Sequence, residues 1–156
     1  MKTIELTQGK EAIVDDEDYE RLSKFNWCAV SIGRNFMASR WAKVSLENGN
    51  VYMHSDIAGN INGLHLDHIN GNGLDNRSEN LRWALPKENI RNSRKQQNTS
   101  SQYKGVTWDR GKWKAAICVD GKRMHLGRFS SEQDAAKAYN EASKKYFGEF
   151  ARGNVL

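Results

Sequence analysis

Apolar and polar residues alternate in short runs over the first part of the chain. Thr3-Ile4-Glu5-Leu6 and Glu11-Ala12-Ile13-Val14 each read as a strand, with Gln8-Gly9 between them. The run Asp15-Asp16-Glu17-Asp18 then opens a short helix through Arg21-Leu22, because carboxylates favour the positive end of a helix. Phe36-Met37-Ala38 and Lys43-Val44-Ser45-Leu46 predict further strands, and Asn48-Gly49 predicts a turn into Val51-Tyr52-Met53. His65–His68 and Leu81–Ala84 predict a hairpin across a long Asn/Gly loop, and Pro86 suits the first turn of a helix reaching about residue 95. The polar tract 96–101 carries no apolar anchor and reads as a linker. Strands are then expected at 106–108, 113–119 and 123–126, with turns at Asp109-Arg110-Gly111 and Asp120-Gly121. Ser130 and Gln133 form a capping box for a helix on which Ala135, Ala138, Tyr139, Ala142 and Tyr146 share a core-facing stripe, ended by Gly148.

The pattern predicts an α+β protein. A β-rich segment spans 1–62, a hairpin and helix 63–95, a linker 96–102, and a three-stranded antiparallel sheet packed on one helix 103–154. A hydrophobic content of 38% with five tryptophans supports a real core. No apolar stretch approaches a membrane span and no signal-peptide run opens the chain, so a cytoplasmic protein without membrane contact is expected. Cys28 and Cys118 lie far apart and form no paired motif, so neither structural zinc nor a disulfide framework is expected.

The net charge of +5 is unevenly spread. Residues 87–128 hold 11 Lys/Arg against 3 Asp/Glu, whereas residues 1–66 hold 7 against 9. A basic segment interleaved with Tyr103, Trp108 and Trp113 suits a polyanion, because each neutralised phosphate releases counterions. Alternation places Trp113, Ala115, Ile117 and Val119 on one face of the second strand, with Lys112, Lys114, Ala116 and Cys118 on the other. The third strand turns Met124 and Leu126 inward, and Arg123 and His125 outward. One face accepts the helix; the other is a basic ribbon able to enter a major groove.

The candidate chemistry lies upstream of that ribbon. Phosphodiester hydrolysis needs an activated water, charge neutralisation on the phosphate and a stabilised leaving oxygen. Asp67-His68-Ile69-Asn70-Gly71-Asn72, Asp75-Asn76-Arg77, Glu79-Asn80-Leu81-Arg82 and Glu88-Asn89 resemble the HNH endonuclease family, in the subgroup of phage and intron-encoded homing enzymes. Leu6-Thr7-Gln8-Gly9-Lys10 and Asp15-Asp16-Glu17-Asp18-Tyr19 resemble that subgroup's N-terminal lead-in. The resemblance implies a ββα-metal fold, with His68 as general base, Asp67 and Asn89 as ligands of a magnesium or manganese ion, and Asn80 bonded to the loop backbone to hold His68. Neighbours in an ideal strand face opposite ways, so Asp67 and His68 share a site only where the strand end is irregular. His54 and His65 read as packed or surface residues. Ser55-Asp56 departs from the basic-then-apolar pair usual in the subgroup, which puts a local DNA contact in doubt. Asn72, Asn76 and Arg77 read as loop-shaping residues, with Arg77 also a phosphate-contact candidate.

Tyr103-Lys104-Gly105-Val106, Gly111-Lys112-Trp113, His125-Leu126-Gly127-Arg128-Phe129, Ala135-Ala136-Lys137-Ala138-Tyr139 and Phe147-Gly148-Glu149-Phe150-Ala151 resemble the Apetala-two/ethylene-response-factor DNA-binding domain. Lys104, Lys112, Arg123 and His125 match DNA-contacting positions of that family, and Lys114 shares their face. Ala116 and Cys118 replace contact residues of the plant members, so their recognition sequence does not transfer. The expectation is a monomeric homing-type endonuclease acting on double-stranded DNA. Two rivals stand beside it: a non-cleaving DNA-binding regulator on an HNH scaffold, and an RNA-binding module stacking bases on Trp108 or Trp113.

Overall fold

Ile4 on β1 (Lys2–Glu5) lies opposite Ala12 on β2 (Glu11–Val14), and the two strands pair antiparallel. Both residues turn inward with Val14, as their alternation requires. The chain then enters α1 (Asp16–Leu22), whose first turn carries Asp16, Glu17 and Asp18 and whose last residue, Leu22, is fully buried. The indole Nε1 of Trp27 donates to the Leu22 carbonyl at 2.8 Å, joining the helix end to the strand that follows. That strand, β3 (Cys28–Ile32), begins a three-stranded antiparallel sheet with β4 (Asn35–Val44) and β5 (Glu47–Tyr52). The computed structural model describes residues 1–33, 35–44, 47–93, 95 and 99–156.

Asn48 and Gly49 pair with Lys43 and Ala42 inside this sheet, so they do not form the expected turn. Ser45 and Leu46 of the strand expected at 43–46 lie outside the described residues. α2 (Met53–Ala58) replaces the continuation of the strand expected through Met53. Met53 is fully buried and Ile57 packs against the same core, one helical turn apart, with Gly59 at φ 78° ending the helix. Six residues offer one such pair, too little for the period to be visible in sequence. The departure at Asp56 also finds its reason here. Its carboxylate accepts from Arg40 at 2.9 Å and from Arg21, tying α2 to β4 and α1.

β6 (His65–His68) and β7 (Leu81–Ala84) form the hairpin at the expected positions, with Asp67 opposite Arg82 and His68 opposite Leu81. The first compact unit, Met1–Pro86, contains both the N-terminal segment and this hairpin. They are joined by main-chain bonds: Ile13 N–H donates to the Leu74 carbonyl and Asn76 N–H to the Ile13 carbonyl, each at 2.8 Å. β2 therefore lines the loop between β6 and β7. No described helix is long and apolar enough to cross a membrane.

The second unit, Lys87–Leu156, includes most of α3 (Pro86–Arg91), which is shorter than the helix expected to about residue 95. The Lys104 ammonium donates to the carbonyls of Arg91 (2.8 Å) and Ser93 (2.7 Å), satisfying acceptors that a helix end leaves open. Of the linker expected at 96–102, residues 96–98 lie outside the described residues. β8 (Val106–Asp109), β9 (Lys112–Val119) and β10 (Lys122–Phe129) form an antiparallel sheet in the order β10-β9-β8. Helix α4 (Glu132–Phe147) packs on it through fully buried Ala135 and Ala136, small enough for close approach. Its N-cap is Ser131, which accepts from the Asp134 amide, one residue beyond the expected Ser130. Tyr146 is exposed although the helical period places it on the same face as Ala135, and Phe147, the last residue of the helix, is buried. Met124 lies opposite Ile117, on the face expected, but stays exposed on the edge strand, while Leu126 packs on the core beside a register shift between His125 and Gly127.

Gly105 has φ 76°, and a Cβ there would lie 2.0 Å from Tyr139 Cδ2 and 2.9 Å from the Ala116 carbonyl oxygen. Gly105→Ala is expected to destabilise this unit by about 3 kcal/mol, from backbone strain and overpacking together. Urea unfolding followed by fluorescence of Trp108 and Trp113 checks it; a shift below about 1 kcal/mol contradicts the packing described.

Candidate functional site

The loop between β6 and β7 is held by its own amides. Asn80 is buried; its Oδ1 accepts from Asn70 N–H at 3.0 Å and its Nδ2 donates to the Asp75 carbonyl at 2.7 Å. One amide side chain thus ties both limbs of the loop that follows His68. Ile69 N–H donates to the Asn80 carbonyl, and Gly71 N–H to the His68 carbonyl at 2.7 Å, so the chain bends sharply as the strand ends. The Asn70 Nδ2 donates to Asp75 Oδ2 at 2.8 Å, and Asn72 accepts from Leu74 N–H.

His68 and Asp67 are both buried, at 5% and 6% exposure, yet their side chains find different surroundings. The Asp67 carboxylate accepts from Arg82 Nε (3.0 Å) and Nη2 (2.9 Å), directly across the hairpin. The His68 ring meets Asn76, with Nε2 3.3 Å from Oδ1, and stands edge-to-face against His54 at 5.2 Å and 84°. Burial pushes the His68 imidazole below the usual histidine range, opposed by the Asn76 hydrogen bond and by the charges of Asp67 and Asp75. It is therefore neutral, and able to accept a proton, near neutral pH.

His54 and Asn76 are the residues that sequence reading did not bring to this site. His54 is 8% exposed and stacks on Tyr52 at 5.5 Å and 15°; burial and the neighbouring His68 push it down to about 4. Among the described residues its Nδ1 is buried without a hydrogen-bonding partner. Fourteen positions separate His54 from His68, and no local pattern links them. Asn76 stood inside a recognised string, but its 1% exposure is a tertiary fact.

Arg77 grips Asp75 with Nε to Oδ1 and Nη2 to Oδ2, both at 2.8 Å, and also pairs with Glu79. As a phosphate-contact candidate it is already engaged by two carboxylates. Its guanidinium holds the Asp75 carboxyl below the usual carboxylate range. A depressed folded value contributes stability above the ordinary carboxylate range, and that contribution is lost as pH falls through the folded value. Asp75→Asn is expected to lower stability at neutral pH and to flatten its dependence below about pH 4. Urea midpoints at acid and neutral pH check this; an unchanged acid slope contradicts it.

Asn89 lies on α3, within the second unit. The donor chemistry at Asp67 fits a hard cation: carboxylate oxygens offer about four lone-pair sites, so an arginine and a cation are compatible partners. Both cysteines are exposed, Cys28 in β3 and Cys118 in β9. Among the described residues, three His, Cys, Asp or Glu side chains come within ligating reach of one another at Asp15, Glu17 and Asp18, at the start of α1 and not at His68.

In the second unit, Lys112, Arg123 and His125 are exposed and Lys114 is half-buried. Arg123 pairs in register with Cys118 and His125 with Ala116, on the face away from α4. Lys104 is engaged internally through the two carbonyls above, and burial followed by the Arg152 charge pushes it down to about 8. Trp108 is half exposed and meets Trp113 edge-on at 4.8 Å.

No family model matches the chain. An uncharacterised HNH endonuclease of Acanthamoeba polyphaga mimivirus is 30% identical over 156 residues, covering 96% of this chain and 77% of that protein. Protein 3.8 of Escherichia phage T7 is 34% identical over 92 residues, 58% of this chain and 75% of that protein. An AP2-like ethylene-responsive transcription factor of Arabidopsis thaliana is 39% identical over 66 residues, 40% of this chain and 14% of that protein.

Proposed function

This chain belongs to the HNH endonuclease family, and from that premise we propose that it is a divalent-metal-dependent, homing-type endonuclease that hydrolyses phosphodiester bonds of double-stranded DNA. The observation that carries the reading is the buried His68 imidazole at a hairpin strand end, kept neutral by burial and fixed by Asn76 and His54. In this reading His68 accepts the proton of the attacking water. Asp67 would hold a magnesium or manganese ion, with Asn89 entering as second ligand on the sequence pattern. Such an ion, when bound, neutralises phosphate charge and stabilises the leaving oxygen. Asn80 keeps the loop, and hence His68, in place through its bonds to Asn70 and Asp75.

The C-terminal sheet supplies the grip. Lys112, Lys114, Arg123 and His125 offer cationic or polar groups to the DNA backbone and groove from one ribbon. Linking that ribbon to the hydrolytic unit raises the effective concentration of the cutter at DNA. One catalytic centre makes a monomer that nicks one strand the simplest working form unless the chain dimerises on DNA, acting in the cytoplasm, which is that of a bacterial host if the gene is a phage's.

Incubating the full chain with supercoiled plasmid and magnesium, then mapping ends on both strands, tests the reading. Nicked product that disappears on chelation supports it. Tight plasmid binding without any nicking favours a non-cleaving regulator, the second reading, for which the observation is the Arg82 guanidinium seated on the Asp67 carboxylate.

A further inference from the structure

We propose that Asn76 is a positioning residue that holds the proton of His68 on Nε2 and leaves Nδ1 as the basic nitrogen. A neutral imidazole carries its proton on either ring nitrogen, and the partner of one nitrogen decides the role of the other. Asn76 lies 3.3 Å from His68 Nε2 through its Oδ1, an atom that only accepts. The orientation of the Asn76 amide is itself set by its far side, where Nδ2 reaches Met53 Sδ at 3.5 Å. A thioether has no hydrogen to donate, so the amide NH₂ belongs beside it and the carbonyl end belongs beside the imidazole. Asn76 is further anchored by its own backbone N–H on the Ile13 carbonyl, and is 1% exposed. Reversing the tautomer would place the lone pair of Nε2 against the lone pairs of Oδ1 in a buried setting, which is costly.

The edge-to-face contact with His54 limits rotation of the His68 ring and so supports the same arrangement. β2, α2 and the loop after β6 thus each contribute one constraint on a single imidazole: Ile13, Met53 and Asn76. The catalytic consequence rests on His68 being the general base. The tautomer itself does not, and is measurable without DNA or metal.

The test uses the full chain labelled with ¹⁵N at its four histidines, each resonance assigned by single His→Gln variants. Long-range proton–nitrogen correlation at about pH 8, where neutral histidine dominates, is expected to show His68 with a pyrrole-type Nε2 and a pyridine-type Nδ1. Asn76→Ala is expected to move both nitrogens toward averaged values, and Asn76→Asp, which keeps an acceptor, to retain the wild-type pattern. A proton found on Nδ1 of wild-type His68 overturns the proposal without recourse to any variant. So does an Asn76→Ala protein, folded by its backbone spectrum, whose His68 shifts are unchanged. In plasmid nicking, Asn76→Ala should lower kcat by about 10- to 100-fold with KM unchanged, a loss typical of removing an orienting partner. A changed tautomer in a protein that shows no nicking at all leaves this inference standing and removes the nuclease reading instead.

Discussion

His68→Ala is expected to reduce plasmid nicking by about 100- to 10,000-fold, the usual contribution of a positioned general base, while leaving DNA binding unchanged. The imidazole lies in the first unit, whereas the exposed ribbon of Lys112, Arg123 and His125 lies in the second, so chemistry and affinity should separate. A gel-shift titration beside the nicking assay reads both. The ring is buried, so its loss also leaves a cavity beside His54. His68→Asn, which retains a polar planar group, controls for collapse of the loop. Restoration of nicking to His68→Ala by added imidazole would place the lost function in proton transfer. Full activity in a folded His68→Ala protein would sink the assignment of this residue as base.

Arg82→Met should have the largest effect on stability. Asp67 at 6% exposure receives both Nε and Nη2 of Arg82, whose side chain is 12% exposed. Removing one member of a buried ion pair leaves its partner's charge poorly compensated, at a cost of about 3–5 kcal/mol. The same variant relieves Asp67 of the guanidinium that a cation must share. Magnesium should therefore stabilise Arg82→Met more than wild type, since a ligand binding only the native state adds about 2.7 kcal/mol at a hundred times its Kd. Denaturant midpoints of both proteins, with and without magnesium, measure the pair and the cation together. Equal magnesium shifts in the two would remove Asp67 from the ligand set, and a loss under about 1 kcal/mol would make the pair a surface contact.

Much of this architecture is legible in the amino-acid sequence. β6 and β7 lie at the strands read from His65–His68 and Leu81–Ala84. The turn at Asp120-Gly121 connects β9 to β10 as its dipeptide demands, with Asp120 at φ 48° and Gly121 at φ 79°. These features depend on neighbours within a few positions, so composition and order suffice to reveal them. The Asn48-Gly49 dipeptide carries a similar local signal and is overruled, because cross-strand pairing with Lys43 and Ala42 places it within the sheet. α2 is not legible for the opposite reason: its one inward pair, Met53 and Ile57, is shorter than the pattern that announces a helix.

The amino-acid order alone determined that a histidine beside a carboxylate would end a strand and that a basic ribbon would follow, while the return of Asn80 to the same loop was implied by the resemblance to the HNH family. Which groups enclose that histidine was decided only on folding. His54 comes from fourteen residues upstream, and Asn76 owes its orientation to Met53 and its anchor to Ile13. Such neighbours are selected by packing between distant segments, where burial removes water as an alternative partner and leaves each polar atom dependent on the one group that reaches it.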